Sequence, residues 1–368
     1  MKSIGIHLPD KAQFSDKSDY LFVEELEKTI RASGRYKPIR LKLKNLRLAS
    51  IEDAGALIEK HNLCAVVQHD SAFYSTSPAY RANVDWLHKH VPFLNSLQSQ
   101  EIGHDKITTK RILREQQIPV LDDEIIESPN ALFEHMNDDA LYVVKPHNNG
   151  AGSGVRLIRK RGDNLFAHIN GKWRKTRAFR VANGKGIKLQ RSQNVPTLVG
   201  VGALFIFTLL FPILFPNFAL AAVFLLLITF YFFIETFERV YTYTPMLVEP
   251  YFNDNEQEFT SLRCTVIGNE VVEAVKRTNR KNITSNISSG GVAEKIELSA
   301  RQKEIAVAAK NAIGADYAGV DLLVRGDESV VGEVNIGPFT LFCTYTGVNV
   351  GKIFGEYLIA KCDTIERF

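Results

Sequence analysis

The sequence predicts an α/β fold interrupted by a pair of apolar helices, on the strength of three observations. Within residues 1–97, short apolar runs alternate with segments of helical periodicity, a pattern typical of a parallel sheet covered by helices. Strand-like runs joined by glycine-rich turns follow in the rest of the chain. Between them, residues 192–234 contain no charged side chain. We therefore divide the chain into four segments, which are 1–97, 98–194, 195–234 and 235–368.

The composition sets limits on the class of protein. A chain of 368 residues can bury a large core and form two or three subdomains. The net charge of +4 argues neither for nor against nucleic acid, but no basic stripe with interleaved aromatic residues is present, so we expect no nucleic-acid partner. The four cysteines are scattered without a CxxC pair, which argues against a zinc site or a disulfide framework and favours a reducing compartment.

The first segment is predicted to form a small α/β unit. Strands are expected at Ser3–Leu8, Cys64–Val67 and Val91–Asn95, and the apolar run Cys64–Val67 fits a buried strand. Helices are expected at Tyr20–Ala32 and Tyr80–Lys89, where apolar residues recur at helical spacing. A further helix begins at the start of the second segment and runs from residue 106 to about residue 117.

A strand followed by a glycine-rich loop is the first functional motif. Leu141–Val144 is an apolar run with β-branched residues, and Lys145 ends it. Gly150, Gly152 and Gly154 then allow tight turns and close approach of backbone N–H groups to an anion. A fixed cation before such a loop suits a polyphosphate, although an ordinary glycine hairpin is the alternative. The loop is neither a Walker A motif nor a Rossmann fingerprint, because the required residue order is absent.

A polar strand hairpin near residues 318–338 is the second functional motif. Glu333 and Asn335 are two residues apart, so both side chains leave the same face of a strand. Together with Asp321 they offer two carboxylates and an amide oxygen, which are hard ligands suited to Mg²⁺. The alternative is three polar residues on the solvated face of a hairpin.

The charge-free stretch is predicted to be a transmembrane helical hairpin. Val195–Phe211 and Phe218–Ile234 are each 17 residues long and are separated by Pro212, Pro216 and Asn217. Each helix would span roughly 25 Å, at the lower end for crossing a bilayer. A hairpin buried only partway in the bilayer and a buried soluble hairpin are the alternatives. Basic residues precede the stretch and Arg239 follows it, so both flanks are expected in the cytoplasm.

In their order along the chain, these motifs resemble the ATP-grasp superfamily, most closely its RimK-like (ribosomal-modification type) ATP-dependent carboxylate–amine ligases. The resemblance implies an N-terminal preATP-grasp α/β domain, a lid subdomain and a C-terminal catalytic subdomain, with the apolar hairpin as an insertion. The matching motifs are His104-Asp105-Lys106 with Ile118-Pro119, Val144-Lys145-Pro146 with the following glycines, Met246–Phe252, Leu262–Arg277, Asn286 with Gly290-Gly291, and Asp321 with Glu333-Val334-Asn335.

The resemblance also implies roles for individual residues. Arg263 and Arg277 would stabilise the transferring phosphoryl group, and Asp321, Glu333 and Asn335 would hold the metal. The nucleotide contacts implied are Lys106, Lys145, Gly152, Ser153, Gly154, Asn286 and the backbone of Glu249 to Tyr251 at the adenine. One departure concerns Ser261, where the family has an acidic residue, so the ribose contact passes to Glu256 or Glu258.

The expected activity is ligation of a carboxylate to an amine through an acyl phosphate, using ATP with Mg²⁺, or Mn²⁺ in its place. The substrates would be small-molecule or peptide carboxylates and amines. The alternatives are an ATP-grasp phosphotransferase and a nucleotide-binding membrane scaffold without catalysis. We expect a multi-pass membrane protein whose catalytic part faces the cytoplasm, with its acceptor near the membrane, and the oligomeric state is left open.

Overall fold

The computed structural model describes residues 1–7, 17–41, 48–68, 78–126, 129–146, 154–169, 171–176, 227, 246–256, 258–281, 283–287, 290–337 and 342–365. The chain divides into two compact units. The first unit comprises Met1–Leu121 and Phe252–Phe368, and the second comprises Asp122–Tyr251. The division differs from the predicted segments: residues 98–121 of the second segment belong to the first unit, and residues 246–251 of the last segment belong to the second unit.

The first unit contains a four-stranded parallel sheet in the order β2-β1-β3-β4. Its strands are β1 (Lys2–His7), β2 (Tyr36–Leu41), β3 (Leu63–Gln68) and β4 (Phe93–Leu94), and its helices are α1 (Lys17–Ala32), α2 (Ile51–His61) and α3 (Pro78–His88). The predicted parallel sheet and its predicted strands and helices are confirmed. Strand β2 was not predicted because it contains Pro38, and its place at the edge of the sheet explains how a proline is tolerated there.

The same unit contains a five-stranded antiparallel sheet in the order β13-β12-β11-β14-β15. Its strands are β11 (Phe259–Ile267), β12 (Glu270–Asn279), β13 (Val292–Lys295), β14 (Tyr317–Arg325) and β15 (Glu328–Asn335). The remaining helices of this unit are α4 (Leu97–His104), α5 (Lys106–Glu115), α7 (Ala300–Ala312), α8 (Cys343–Thr346) and α9 (Val350–Ile365). The predicted 318–338 hairpin is confirmed as β14 and β15.

One face of the five-stranded sheet is covered by α7, which leaves the other face for polar side chains. Cys264, Val320 and Leu322 are fully buried in one cluster with Ala306 and Ala309 of the helix. Helix α7 begins with a capping box formed by Ser299 and Gln302. Because successive residues of a strand point to opposite faces, the neighbours of these apolar residues face away from α7.

The second unit is built on a six-stranded antiparallel sheet in the order β5-β10-β6-β7-β8-β9. Its strands are β5 (Glu124–Ile126), β6 (Leu141–Pro146), β7 (Arg156–Arg161), β8 (Asn164–Ile169), β9 (Lys172–Thr176) and β10 (Met246–Pro250), with the helix α6 (Pro129–His135). Strands β8 and β9 are antiparallel neighbours, and Gly171, just before β9, has φ +77°, a conformation that suits glycine.

The predicted apolar hairpin, Val195 to Ile234, lies outside the described residues except for the single position 227. Among the helices that the structure describes, none is long and apolar enough to cross a membrane. The chain on either side of this stretch belongs to the six-stranded sheet, which it leaves at β9 and rejoins at β10.

Candidate active site

A row of charged side chains crosses the face of the five-stranded sheet that α7 does not cover. Arg263 of β11 lies opposite Asp321 of β14, and Asp321 lies opposite Glu333 of β15. Residues directly opposite each other on antiparallel strands share a face. Arg277 of β12 joins the row because it lies opposite Ser261, two residues before Arg263 on β11. The sheet therefore gathers both predicted arginines and both predicted metal carboxylates.

A β-bulge in each of two hairpins brings these residues onto one face. The register shifts between Asp321 and Leu322, where Gly332 is the additional residue of β15. Counting from the β14–β15 turn without this shift would place Glu333 opposite Val320, on the apolar face. The β11–β12 hairpin has a similar shift next to Thr265. Bulges commonly redirect side chains beside active sites, and both do so here.

Asp321 is held between the two arginines. Its Oδ1 atom lies 2.9 Å from Arg263 Nε and 3.0 Å from Arg277 Nη2. The side chains are 11%, 14% and 4% exposed respectively, so the charges interact in a poorly solvated environment. Burial lowers the pKa of the Arg263 guanidinium, against the opposing effect of Asp321. Oδ1 of Asp321 nevertheless has no hydrogen bond of good geometry among the described residues, so this attraction is mainly Coulombic.

Ser261 orients Arg277. It occupies the position at which the ATP-grasp family that the sequence resembles has an acidic residue. Arg277 donates hydrogen bonds to Ser261 Oγ from Nη2 at 2.8 Å and from Nε at 3.2 Å. Ser285 Oγ lies 2.5 Å from the same hydroxyl. Arg277 Nη1 also donates to the amide oxygen of Asn286 at 3.1 Å. The guanidinium is therefore fixed by neutral groups on one side and by Asp321 on the other.

Lys106 is the third cation at this face. It is the first residue of α5, a helix capped by the Asp105 side chain, which accepts a hydrogen bond from the Ile107 amide at 3.0 Å. Its ammonium lies 3.1 Å from Glu333 Oε1, and the two side chains are 14% and 32% exposed. The structure thus places this lysine, predicted from the sequence, next to a predicted metal ligand.

The oxygen donors fit a magnesium ion that shares its coordination with phosphate oxygens. Asp321 and Glu333 face each other across the hairpin, and Asn335 lies two residues beyond Glu333 on the same face, where its Nδ2 donates to Gly319 O at 3.4 Å. No group of three His, Cys, Asp or Glu side chains able to hold a metal occurs among the described residues. Mg²⁺ is usually held by one or two carboxylates together with substrate phosphates and water, which agrees with this donor set.

The second unit contains a separate pair of predicted nucleotide contacts. Lys145 lies opposite Leu247 in the sheet, and Glu249 lies diagonally across from it on the same face. Lys145 Nζ and Glu249 Oε1 are 2.8 Å apart, and the side chains are 11% and 2% exposed. The amide of Tyr251 already donates to Leu141 O at 2.9 Å. The N–H group of Tyr251 is therefore used within the sheet, and the contact of the Glu249 to Tyr251 backbone with adenine stays a prediction.

The remaining predicted contacts are distributed more widely. Glu258 forms an ion pair with Arg280 at 3.0 Å, and Glu256 is exposed. Gly154 is buried with φ +81°, a conformation that suits glycine. Gly152 and Ser153 lie outside the described residues.

Glu273 is a buried carboxyl group on the same sheet face, and it was not predicted from the sequence as a site residue. It lies opposite Thr265, two residues along β11 from Arg263. Its oxygens accept hydrogen bonds from Thr265 Oγ1 at 3.2 Å and from Thr346 Oγ1 at 2.5 Å. Burial raises its pKa, while the two hydroxyls act in the opposite direction. The alternation of β12, counted back from Arg277, would have placed it on this face.

Comparison with known proteins agrees with the geometry. Residues 234–358 match the RimK-like ATP-grasp domain. A probable alpha-L-glutamate ligase of Enterobacter sp. (strain 638) is 39% identical over 94 residues, which cover 25% of this chain and 31% of that protein. A ribosomal protein bS6–L-glutamate ligase of Salmonella paratyphi B (strain ATCC BAA-1250 / SPB7) is 38% identical over 94 residues, with the same coverage of 25% and 31%. The chain thus spans about a third of the length of these relatives.

Solved structures extend the similarity to the whole chain at the level of the fold. The ATP-grasp ligase PsnB, complexed with a minimal precursor, superposes with a TM-score of 0.57 at 16% sequence identity. The superposition covers 98% of this chain and 99% of that chain. The chain therefore has the ATP-grasp fold, and the sequence of residues 234–358 is similar to the RimK-like ATP-grasp domain.

Proposed function

We propose that this protein is an ATP-dependent ligase that joins a carboxylate to an amine. The observation that carries the proposal is the row formed by Arg277, Arg263, Asp321 and Glu333 on one sheet face, with Lys106 beside it. It combines hard oxygen donors for Mg²⁺ with three cations, and all of these residues except Lys106 lie within the range that matches the RimK-like ATP-grasp domain.

The proposed reaction overcomes the poor electrophilicity of a carboxylate. A carboxylate oxygen attacks the γ-phosphorus of ATP, the bond to the ADP oxygen breaks, and an acyl phosphate forms. The amine then attacks the acyl carbon, phosphate leaves with the former carboxylate oxygen, and the nitrogen loses a proton. ATP, carboxylate and amine are thereby converted to ADP, phosphate and an amide.

This chemistry depends on alignment and charge neutralisation, and the residues of the row are suited to both. Asp321, Glu333 and Asn335 would hold Mg²⁺, which neutralises phosphate charge when bound. Arg263 and Arg277 would stabilise negative charge on the transferring phosphoryl group and on the acyl phosphate. Lys106 would contact a phosphate oxygen. Lys145, on the second unit, would also bind the nucleotide, together with Glu249.

The substrates are proposed to be of amino-acid or peptide type, with L-glutamate as the first amine to test. The proposal is supported by the names of the relatives, which are glutamate ligases, and by that of the peptide-bound PsnB structure. L-Glutamate offers both an amine and carboxylates, so it can be tested in either role.

Membrane anchoring by residues 195–234 forms a further part of the proposal. The absence of charge from this stretch supports it, as does the topology of the second unit. Because β9 and β10 belong to one sheet, both ends of the intervening chain must lie on the same side of a bilayer, which two crossings would satisfy. The catalytic units would then face the cytoplasm, close to a membrane-associated acceptor.

The proposal is tested by measuring ADP release from purified protein with ATP, Mg²⁺, L-glutamate and candidate carboxylates. The expected result is ADP release that requires both a carboxylate and an amine and is lost in Glu333→Gln. A phosphotransferase would instead yield a phosphorylated acceptor and need no amine. Normal ADP release by a folded Glu333→Gln variant would contradict the assignment of the metal site.

A further inference from the structure

The charged row ends at an apolar residue that is covered by the chain just before α8. Val275 of β12 lies directly opposite Arg263, so it continues the row on the same sheet face. Ala293 of β13 lies opposite Arg277 and shares this face. Phe342, the residue immediately before α8, forms one buried cluster with Val275 and Ala293. Phe342 and α8 therefore border the row at its β12 end.

Glu273 attaches α8 to this face of the sheet. It lies in β12 opposite Thr265 of β11, the strand that carries the first arginine of the row. Its Oε2 atom accepts a hydrogen bond from Thr265 Oγ1 at 3.2 Å, and its Oε1 atom accepts one from Thr346 Oγ1 at 2.5 Å. Thr346 is the last residue of α8, and its carbonyl oxygen also accepts a hydrogen bond from Lys295 Nζ at 3.4 Å. A buried carboxyl group thus joins α8 to the catalytic strands.

The surroundings of Glu273 leave it no direct contact with a substrate. The residue is only 4% exposed, and each carboxyl oxygen accepts a hydrogen bond from a threonine hydroxyl group. Any effect on the reaction must therefore pass through the position of α8. Thr346 can transmit it, because its hydroxyl oxygen also lies 3.0 Å from Phe342 O and accepts a hydrogen bond from the Val348 amide at 3.2 Å.

The order of residues along the row indicates which substrate lies beside α8. In the proposed ligase reaction, on which this step rests, Asp321 and Glu333 would hold Mg²⁺ with the nucleotide phosphates at one end of the row. Arg263 follows them and would contact the transferring phosphoryl group. The attacking and leaving oxygens lie on roughly opposite sides of the phosphorus in such a transfer. The attacking carboxylate would therefore lie at the other end, next to Val275 and Phe342.

We propose that Glu273 is a positioning residue for the carboxylate substrate. It holds α8, through Thr346, at the end of the row where this substrate binds. Loss of the contact should weaken binding of the carboxylate, because α8 would no longer be fixed against the sheet. Binding of ATP should not change, since its metal-bound phosphates lie at the Glu333 end of the row.

The test is steady-state kinetics of the purified full-length protein with ATP, Mg²⁺, L-glutamate as the amine and the carboxylate that supports ADP release. Glu273→Ala should raise the KM for the carboxylate at least about tenfold, because hydrogen bonds to a charged group are lost. The KM for ATP should stay as in the wild type. The control Glu270→Ala, which changes an exposed glutamate on the same strand, should leave both KM values unchanged.

A second variant removes the same contact from the other side. Thr346→Val keeps the shape of a half-buried side chain and should raise the KM for the carboxylate as Glu273→Ala does. The double variant should be no worse than the more affected single variant, because both changes remove one contact. Glu273→Gln should retain most of the carboxylate affinity, since its amide can accept from one hydroxyl group and donate to the other.

Three results would overturn the positioning role while the wild type is active. They are an unchanged carboxylate KM in Glu273→Ala and Thr346→Val, an equal rise in the KM for ATP, and a loss of kcat in Glu273→Gln as large as in Glu273→Ala. The last result would indicate proton exchange with a substrate. A wild type that releases no ADP with any carboxylate and amine would instead refute the proposed ligase reaction itself.

Discussion

The two proposed metal carboxylates should respond very differently to the same chemical change. Asp321→Asn and Glu333→Gln each replace a carboxylate by its amide, and both should abolish ATP-dependent turnover. Their effects on folding should differ, because Asp321 balances two buried guanidinium groups while Glu333 pairs with a single, more accessible lysine. Loss of Asp321 would leave Arg263 and Arg277 side by side without a counter-charge.

The expected magnitudes follow from burial. Removing one partner from a buried ion pair costs about 3–5 kcal/mol, and we expect a loss in this range for Asp321→Asn. The Lys106–Glu333 pair is partly exposed and screened by solvent, so Glu333→Gln should cost about 1 kcal/mol or less. For a unit of this size, these losses correspond to falls in melting temperature of roughly 10 °C and 3 °C.

Thermal unfolding of the purified protein, followed by circular dichroism or dye binding in the absence of nucleotide, measures both values. The double variant Arg263→Met with Asp321→Asn serves as a control, because it removes one of the two stranded cations and should recover part of the lost stability. Equal melting temperatures for Asp321→Asn and Glu333→Gln would refute the assignment of Asp321 as the counter-charge of both arginines.

Three further outcomes are expected. Lys145→Ala should weaken ATP binding, measured by calorimetry, at least about tenfold, because a hydrogen bond to a charged group is lost. The control Lys303→Ala, which changes an exposed lysine, should bind ATP as the wild type does. Equal ATP affinities of Lys145→Ala and the wild type would contradict a phosphate contact at Lys145. Burial raises the pKa of Glu273 above the ordinary glutamate value of about 4.3, so the folded state binds more protons than the unfolded state as the pH rises above that value. The free energy of unfolding should therefore fall as pH rises from about 4.3 through the raised pKa of Glu273. Glu273→Gln should flatten this dependence of the unfolding free energy on pH. Replacing Val195 to Ile234 by a short Gly/Ser linker should allow recovery without detergent, and an unmodified protein that is equally soluble would contradict the membrane anchor.

Much of the fold follows from local patterns in the sequence. Strand β3 contains the apolar run Cys64–Val67, and α1 and α3 have apolar residues at helical spacing, so local patterns identify them. The spacing of Glu333 and Asn335 likewise places both on one strand face. These predictions succeed because each depends on a few consecutive residues.

The placement of Arg277 and Glu333 on the same face as Asp321 could not be predicted in the same way. It depends on two bulges, each of which shifts a hairpin by one residue and so changes the face of every later side chain. Nothing in a single sequence marks Gly332 as the additional residue.

The central claim, ligation through an acyl phosphate, is tested most directly by an isotope-transfer measurement. The protein is incubated with ATP, Mg²⁺, L-glutamate as the amine and the carboxylate that supports ADP release, with ¹⁸O in the carboxyl groups of both, and the released phosphate is analysed by mass spectrometry. The proposed reaction predicts one ¹⁸O atom in each phosphate and one new amide bond for each ADP. Phosphate without ¹⁸O, or a stable phosphorylated product without an amide, would contradict it.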